Sequence, residues 1–302
     1  MGKAMKILVT GGTVFVSKYT AKYFAERGYD VYVLNRGTKP QVDGVTLIKG
    51  DRHELGDLLK THEFDAVLDI TSYNADDVNC LLDGLGEFGT YILISSSAVY
   101  PETGVQPFAE HGTLAENKFW GRYGTDKIAA EQALLSKVPD AYILRPPYLY
   151  GPMNNVYREA FVFDCAKLDR KFYLPGDGSM KLQFFHVEDL CRLMEIIISD
   201  KPDEHIMNVG NSDAVTVKEW VELCYECVGK KAEFVNVTAD IEQRLYFSFY
   251  NYEYYLDVSR MQKLLPVTKD LRAGLIECAE WYEGNDSEVR KKPMMDYIDN
   301  NL

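Results

Sequence analysis

Three features are scarce or missing in this sequence: long apolar runs, positive charge and paired cysteines. No apolar stretch of the 302-residue chain approaches the roughly 18 residues of a membrane span, so we expect no membrane contact. The net charge of -13 and the pI of about 4.9 argue against general binding to nucleic acids or anionic membranes. A local basic patch could still exist in a chain with this negative net charge.

The six cysteines are scattered along the chain, and its start does not read as a signal peptide. This pattern fits reduced thiols, and we therefore expect a cytoplasmic protein. Cys224 and Cys227 have a spacing known from redox and metal sites. They lie inside an amphipathic run from Val217 to Val228 and have no second pair, so we interpret them as core residues and predict no metal site.

The stretch from Lys6 to Lys18 predicts a strand, a phosphate-holding turn and the start of a helix. Residues 7–9 form a continuous aliphatic run, which is typical of a parallel strand buried on both faces. Gly11 and Gly12 let the backbone turn tightly and approach a ligand. The helix predicted over 16–28 would direct free N–H groups at a pyrophosphate, although a tight strand-to-helix turn needs glycine in any case.

The next strand, over residues 30–34, ends without the acidic residue that binds the ribose 2'-hydroxyl in many NAD sites. Asn35 and Arg36 stand there instead. An arginine beside a small amide suits a 2'-phosphate, so we predict NADP as the preferred cofactor, with NAD possible. A solvated loop arginine is the alternative interpretation of Arg36.

Strands and helices continue to alternate at βαβ spacing, which predicts an α/β fold with a doubly wound parallel sheet of the Rossmann type. The further predicted elements are strands over 45–48, 64–70 and 91–94 and helices over 55–60 and 76–85. In such a sheet the cofactor lies at the carboxyl ends of the strands. Asp51 is therefore a candidate for the adenine amine, or simply a turn aspartate. Thr71, Ser72 and Tyr73 would lie along the cofactor toward its nicotinamide.

Tyr123 and Lys127 are four residues apart on a predicted helix and therefore share a face. A lysine ammonium near a phenol favours the phenolate and lowers the tyrosine pKa from about 10, which suits an acid or base near neutrality. Serines 95–97 end the preceding strand, where a hydroxyl can bind the same substrate oxygen. An exposed helix pair is the alternative, but the serines favour the catalytic interpretation.

Together these residues resemble the extended and atypical branch of the short-chain dehydrogenase/reductase superfamily, the NAD-dependent epimerase/dehydratase family. The group with the chloroplast stem-loop-binding proteins is the most similar in its motifs. The motifs that carry the resemblance beyond those above are Gly50-Asp51-Arg52, Leu144-Arg-Pro-Pro-Tyr-Leu-Tyr-Gly-Pro152, Pro175-Gly-Asp-Gly178, Phe185-His-Val-Glu-Asp-Leu190, Asn208-Val-Gly210 and Leu256-Asp-Val-Ser-Arg260.

The resemblance implies Ser96 as the active-site hydroxyl, Tyr123 as the acid/base and Lys127 as the residue that binds the nicotinamide ribose and tunes Tyr123. It implies hydride transfer on a sugar-like or nucleotide-linked hydroxyl or ketone. The implied cofactor contacts are Gly11, Gly12, Thr13, Phe15, Val16, Asn35, Arg36, Asp51, Arg52, Thr71, Ser72, Tyr123, Lys127 and Pro146. A homodimer is implied through the helix of Tyr123, with Ile128, Ala129, Gln132, Ala133 and Leu135 on the shared face.

Several positions depart from the family pattern. Val14 and Ser17 replace two glycines of the turn, and Val14 adds bulk near the cofactor. Ser97 and Ala98 stand where sugar-nucleotide 4,6-dehydratases carry Asp and Glu, so we expect no dehydration. Leu182 replaces an arginine that holds the nucleotide in many UDP-sugar epimerases.

The alternation of strands and helices breaks in the second half of the chain. We therefore expect a dinucleotide-binding domain over 1–150 and a smaller C-terminal α+β substrate domain over 151–302, with parts of 182–212 returning to the first. The run over 246–255 has seven aromatic residues in ten and fits either a stacking wall or a small core.

Candidate substrate contacts follow from this division. Arg244 is the best anchor for a substrate phosphate, and Ser97, Tyr148 and Tyr246 are further candidates. The family position of His186 implies a structural role, with a catalytic base as the alternative. The competing functional class is a non-catalytic Rossmann protein that senses a dinucleotide or binds RNA. Acidity argues against RNA, and an intact catalytic set argues for an enzyme with a small-molecule substrate.

Overall fold

A parallel sheet organises the chain, whose structure, a computed structural model, describes residues 4–302. The strands are β1 Lys6–Thr10, β2 Asp30–Asn35, β3 Val45–Lys49, β4 Phe64–Asp69, β5 Phe88–Ile94, β6 Tyr142–Arg145, β7 Tyr148–Tyr150, β8 Phe172–Pro175, β9 Lys181–Leu182, β10 Phe184–His186, β11 Ile206–Asn208, β12 Val215–Thr216 and β13 Phe234–Val237. Seven strands form the sheet in the order β11, β6, β5, β4, β1, β2, β3. The five predicted strands are confirmed. The strand order reverses between β1 and β4, where a doubly wound sheet binds its ligand.

Helices cover both faces of this sheet, α1 and α5 on one face and α2 and α3 on the other. The α-helices of residues 4–302 are α1 Phe15–Glu26, α2 Ala75–Gly84, α3 Arg122–Lys137, α4 Glu159–Lys167, α5 Val187–Asp200, α6 Val217–Cys227, α7 Ser259–Leu264, α8 Leu271–Asn285 and α9 Met294–Asn301. Ile7 and Val9 face the layer that contains α1 and α5, whereas Leu8 faces the layer of α2 and α3. All three side chains are fully buried, which explains the unbroken aliphatic run. No helix among residues 4–302 is both long and apolar enough to cross a bilayer.

The predicted helix over 55–60 is wrong. A 3-10 helix covers Arg52–Glu54, and turns follow, with an isolated bridge between Leu59 and Leu85. Gly56 adopts a φ of +50° inside the segment, which an α-helix does not accommodate. Six residues are also too few to hold a helix without tertiary support.

The second half combines short strands with aromatic packing. β7 pairs with β10, β8 with β13 and β9 with β12, whereas β11 forms the edge of the central sheet. The Trp220 ring lies 5.7 Å from the ring of Phe184 and 5.1 Å from that of Phe249, centroid to centroid. Such ring contacts build a core where the strands are too short to do so.

Candidate active site

The glycine turn after β1 is shaped by close packing. Gly11 and Gly12 have φ values of +95° and +93°, which other residues rarely adopt. A Cβ on Gly11 would lie 2.8 Å from the Ser17 Oγ, and one on Gly12 would lie 2.7 Å from a methyl carbon of Val33. Both positions therefore require glycine, and the turn delivers the chain directly to the start of α1.

The start of α1 opens into a cleft of about 530 Å³. Val14 precedes the helix and makes no side-chain cap, so the first N–H groups are left for a ligand. The Ser17 hydroxyl donates to the Val14 carbonyl at 3.0 Å, which turns this side chain back into the protein. The substitutions of the family glycines thus leave the cleft open, and the turn and helix start fit a dinucleotide.

Asn35 serves the turn itself. Its Nδ2 donates to the Gly11 carbonyl at 2.6 Å and to Gln41 Oε1 at 2.9 Å, while its Oδ1 accepts from Gly37 N at 2.8 Å. Both amide protons are used within the protein, so Asn35 supports the turn, and its contact with the cofactor stays a prediction. Arg36 is exposed, and no carboxylate among residues 4–302 forms an ion pair with it.

The segment after β3 supports the end of β4. Arg52 donates to the hydroxyls of Thr71, at 2.7 Å, and Ser72, and one of its nitrogens lies 3.7 Å from Asp69 Oδ1. The Asp51 carboxylate accepts from the His53 backbone N–H at 3.1 Å, as a turn aspartate does. Ser72 is fully buried, so of these residues Thr71 is the one that reaches the cleft.

Ser96, Tyr123 and Lys127 come together at the cleft. The Ser96 hydroxyl accepts the Ala98 N–H at 3.1 Å. It lies near enough to the Tyr123 phenol to oppose the rise in the pKa of that phenol. The Lys127 ammonium is buried, with 2% of the residue exposed, and donates to the carbonyls of Ser72 at 2.7 Å and Ile94 at 2.8 Å. One ammonium proton remains for a ligand.

A single glycine allows this alignment. A Cβ on Gly124 would lie 2.3 Å from the Ala98 carbonyl oxygen, so α3 touches the backbone of the 3-10 helix Ser97–Val99. This contact places Tyr123, the residue before the glycine, beside Ser96, the residue before that 3-10 helix. Each functional residue directly precedes one of the two contacting segments, so the contact between the segments also brings the two side chains together.

The pKa values differ from the expectation that Lys127 lowers the pKa of Tyr123. Desolvation by the surrounding protein raises the pKa of Tyr123, although 40% of the residue is exposed. The Ser96 hydroxyl opposes this rise and the charge of Tyr73 adds to it. The Lys127 ammonium is held by two carbonyl oxygens, and its own pKa falls to about 8 because burial disfavours the charged form. Its ammonium lies 5.1 Å from the centroid of the Tyr73 ring.

A buried polar network anchors the strand ends behind these residues. Glu131 of α3 forms an ion pair with Arg145 at 2.6 Å and accepts the Ser95 hydroxyl. Arg145 also donates to the Tyr100 hydroxyl at 2.9 Å, which in turn donates to Asn208 Oδ1 at 2.8 Å. The network therefore links α3 to β5, β6 and β11.

The opposite wall of the cleft comes from the second half of the chain. Ser97 donates to the Tyr254 hydroxyl at 3.3 Å. Arg158 and Arg244 lie near Tyr148. Burial raises the pKa of the Tyr148 phenol, and the positive charges of the two arginines oppose this rise. The Arg158 Nε is buried without a hydrogen-bond partner among residues 4–302.

The cleft gathers some predicted residues and not others. Inside it lie Phe15, Val16, Thr71, Tyr73, Ser96, Ser97, Tyr123, Lys127, Pro146, Tyr148 and Arg244. Outside it lie Gly11, Gly12, Thr13, Asn35, Arg36, Asp51, Arg52, Ser72 and Tyr246. Sequence reasoning did not single out Trp120, Asn155 and Arg158, which also line it. Of these three residues, only Trp120 could have been suspected from the sequence, because it lies three residues before Tyr123.

Two residues that the sequence singled out, Tyr246 and His186, lie outside the cleft. Tyr246 is buried and lines a different cavity, whereas Tyr250 and Tyr254 line the cleft. A substrate contact of Tyr246 stays a prediction. His186 is fully buried outside the cleft, where burial lowers its pKa to about 3. Its Nδ1 accepts the Glu188 N–H at 3.3 Å, which begins α5.

These features agree with the comparison to known families. The profile of the NAD dependent epimerase/dehydratase family matches residues 7–210. The chain belongs to this family. Family membership confirms the resemblance drawn from the strand-end motifs.

Individual family members are similar over most of the chain. The chloroplast stem-loop binding protein of 41 kDa b of Arabidopsis thaliana is 26% identical over 86% of this chain and 74% of its own length. The probable GDP-L-fucose synthase 1 of Oryza sativa subsp. japonica is 28% identical over 68% of this chain and 66% of its own length.

A solved structure shares the fold. It is the UDP-glucuronic acid 4-epimerase of Bacillus cereus, in complex with UDP-glucuronic acid and NAD. It superposes with a TM-score of 0.73 at 19% identity, over 93% of this chain and 99% of the other.

Proposed function

We propose that this protein is an NAD(P)-dependent epimerase or reductase that acts on a hydroxyl or ketone of a nucleotide-linked sugar. The observation that carries the proposal is the convergence of Ser96, Tyr123 and Lys127 at one cleft. The uncapped start of α1, which follows the glycine turn, opens into the same cleft.

Each residue has a defined task in this reaction. The bound nicotinamide would accept or supply the hydride. Tyr123 exchanges a proton with the substrate oxygen, and Ser96 orients that oxygen through its hydroxyl. Lys127, fixed by the carbonyls of Ser72 and Ile94, offers its remaining proton to a ribose hydroxyl. Since Tyr123 has a raised pKa, it is best suited to hold the proton and give it to a developing alkoxide.

The substrate class follows from the opposite wall. Arg158 has an unpaired buried Nε, and the Arg244 guanidinium carbon lies 4.8 Å from the Tyr250 ring centroid. Two guanidinium groups beside aromatic rings suit a diphosphate and the sugar attached to it. The activities named for the similar GDP-L-fucose synthase and UDP-glucuronic acid 4-epimerase support a nucleotide-linked sugar. Dehydration is disfavoured because Ser97 and Ala98 supply no acid.

Tyr123→Phe tests the assignment. We expect turnover of a panel of UDP-, GDP- and dTDP-sugars, followed by product analysis, to fall at least about 100-fold. Calorimetric affinity for the cofactor should stay within about twofold, because the ring is retained. Tyr142→Phe, which removes a hydroxyl bonded to the Pro202 carbonyl away from the cleft, is the matched control. A Tyr123→Phe protein of undiminished rate would remove Tyr123 from the mechanism.

The cofactor preference rests on Arg36. Its exposed guanidinium has no acidic partner among the described residues and follows β2, where a 2'-phosphate would lie. We expect calorimetry to show NADPH binding about 10- to 100-fold more tightly than NADH, with the preference lost in Arg36→Ala. Lys39→Ala, which removes a nearby loop charge, is the control. Equal binding of both cofactors by the wild type would refute the preference for NADP.

RNA binding is a second candidate, because the similar Arabidopsis protein is named for stem-loop binding. The net charge of -13 is unfavourable for it. A gel shift with a stem-loop RNA at two salt concentrations distinguishes the two functions. Binding that falls steeply with salt would favour RNA as the ligand, whereas no shift at low salt would exclude this function.

A homodimer through the outer face of α3 remains part of the proposal. Gln132 on this face is exposed, and Ile128, Ala129, Ala133 and Leu135 are half-buried. Sedimentation at micromolar concentration tests it, and a monomer there would contradict the assignment.

A further inference from the structure

A cluster of three different metal-ligating side chains lies outside the cleft, where the 3-10 helix Arg52–Glu54 meets the start of α2. It consists of His53, Asp76 and Cys80, whose ligand atoms all lie within 4.8 Å of one another. The His53 Nδ1 is 3.4 Å from Asp76 Oδ2, and the Cys80 Sγ is 3.9 Å from Asp76 Oδ1. Asp76 and Cys80 are one turn apart on α2, so they share a face of that helix.

The imidazole is oriented from its other side. His53 Nε2 lies 3.1 Å from Asp77 Oδ1, and Asp77 is buried. The second Asp77 oxygen accepts the Tyr73 N–H at 2.8 Å, and the Asp77 N–H is capped by Asn74 at 2.9 Å. A carboxylate fixed in this way holds the proton on Nε2 and directs Nδ1 outward, as in carboxylate–histidine–metal arrangements.

This orientation leaves two acceptors facing each other. With its proton on Nε2, His53 presents a lone pair at Nδ1 to the Asp76 carboxylate, and neither group can donate. Only a proton or a cation between them makes the contact favourable. The thiol of Cys80 beside them offers a soft ligand. Burial and the carboxylates of Asp76, Asp83 and Asp77 raise the pKa of this thiol, and a bound cation would offset that negative potential.

We propose that His53, Asp76 and Cys80 bind a Zn²⁺ ion, with Asp77 as the carboxylate that orients the histidine. Zinc ligands at about 2.0 Å for nitrogen and oxygen and about 2.3 Å for sulfur stand roughly 3.3 to 3.5 Å apart in a tetrahedron. The 3.4 Å between His53 Nδ1 and Asp76 Oδ2 is close to that geometry, and the three ligand atoms lie within 4.8 Å of one another. Water would complete the fourth position, and binding would release the thiol proton.

The site would join two segments behind the cofactor cleft. His53 follows Arg52, whose guanidinium holds Thr71 and Ser72, and Asp77 holds the backbone of Tyr73. A bound ion would therefore clamp the 3-10 helix Arg52–Glu54 to α2 and, through Arg52, support the loop that ends β4. Because the ion binds the folded chain, it would also raise the stability of the protein.

Cobalt titration of the metal-stripped full chain under reducing conditions tests the site. We expect one Co²⁺ per chain, with a thiolate-to-cobalt absorption band, and displacement by one equivalent of Zn²⁺. His53→Gln and Cys80→Ser should each weaken Zn²⁺ binding at least about tenfold, and Asp77→Asn about 10- to 100-fold. His111→Gln and Cys227→Ser are matched controls, because they change another exposed histidine and another half-exposed cysteine.

A second measurement guards against variants that fail to fold. Zn²⁺ should raise the Tm of the wild type and both controls but not of Cys80→Ser or His53→Gln, each checked by circular dichroism. Absence of stoichiometric binding, or loss of binding in the controls to the same extent, would overturn the proposal. Either result would identify the cluster as a histidine held between two carboxylates.

Discussion

The two walls of the cleft are built in different ways. The wall with Tyr123 and Lys127 rests on strand ends, backbone carbonyls and the buried Glu131–Arg145 pair. The opposite wall rests on ring contacts, such as the 5.5 Å between the centroids of Tyr148 and Tyr254. The first wall fixes hydrogen-bonding groups in direction, whereas the second provides shape. The proposed proton transfer would therefore depend on directional bonds, and the fit of the proposed substrate would depend on packing.

Disrupting the buried Glu131–Arg145 ion pair should destabilise the first wall more than the other changes considered below. Glu131→Gln leaves the Arg145 charge uncompensated in a dry environment, and we expect the free energy of unfolding to fall by about 3 to 5 kcal/mol. Urea unfolding measures this. The control is Glu26→Gln at the exposed Lys22–Glu26 pair, which should change stability by less than about 1 kcal/mol. Equal effects at both sites would show that Glu131 does not anchor the wall.

Lys127 makes the first wall sensitive to pH. Its pKa is lowered by burial from 10.5 to about 8, so the folded chain binds fewer protons than the unfolded chain between these values. Stability from this group therefore rises with pH across that window, by about 2 kcal/mol between pH 7 and pH 9.5. Urea unfolding of the wild type and Lys127→Met at both pH values isolates this contribution. Parallel changes in the two proteins would contradict it.

Removing the hydrogen bond between Ser97 and Tyr254, which joins the two walls, should have the smallest effect on the free energy of unfolding. Tyr254→Phe removes the partner of the Ser97 hydroxyl, and we expect a loss of about 1 kcal/mol in unfolding free energy. The KM for the sugar nucleotide should rise while cofactor affinity stays constant, since Tyr254 lies in the aromatic wall. A change in cofactor affinity instead would show that the two walls are not separable. Tyr29→Phe, which loses a hydroxyl bonded to Glu195, is the control.

The same contrast explains what could be predicted from sequence. The first five strands follow from local patterns, because a strand covered on both faces is aliphatic throughout. Tyr123 and Lys127 follow from helical spacing. Arg158 had no such signal, since a long loop and a turn bring it to the cleft. An aromatic run does not reveal which of its rings face a cleft, so the sequence alone could not separate Tyr246 from Tyr250 and Tyr254.

The metal-ligand cluster was also invisible in the sequence. His53 and Asp76 are separated by a whole strand, and only the folded chain brings them together. Cys224 and Cys227 had the more suggestive spacing, yet Cys224 is buried in α6. Spacing predicts ligands when they lie on one element, but not when two elements must meet.

The adjacent hydroxyls of Ser96 and Ser97 separate chemistry from selectivity. Ser96 lies beside Tyr123, whereas Ser97 donates to the Tyr254 hydroxyl, and the backbone N–H of Ser97 is fixed to the Pro146 carbonyl at 2.9 Å. New side chains in the aromatic wall would therefore leave Ser96 and Tyr123, the pair proposed for proton transfer, in register with the sheet. A scaffold with this arrangement can therefore change its substrate range through substitutions in the aromatic wall, while the residues proposed to carry out the reaction stay the same.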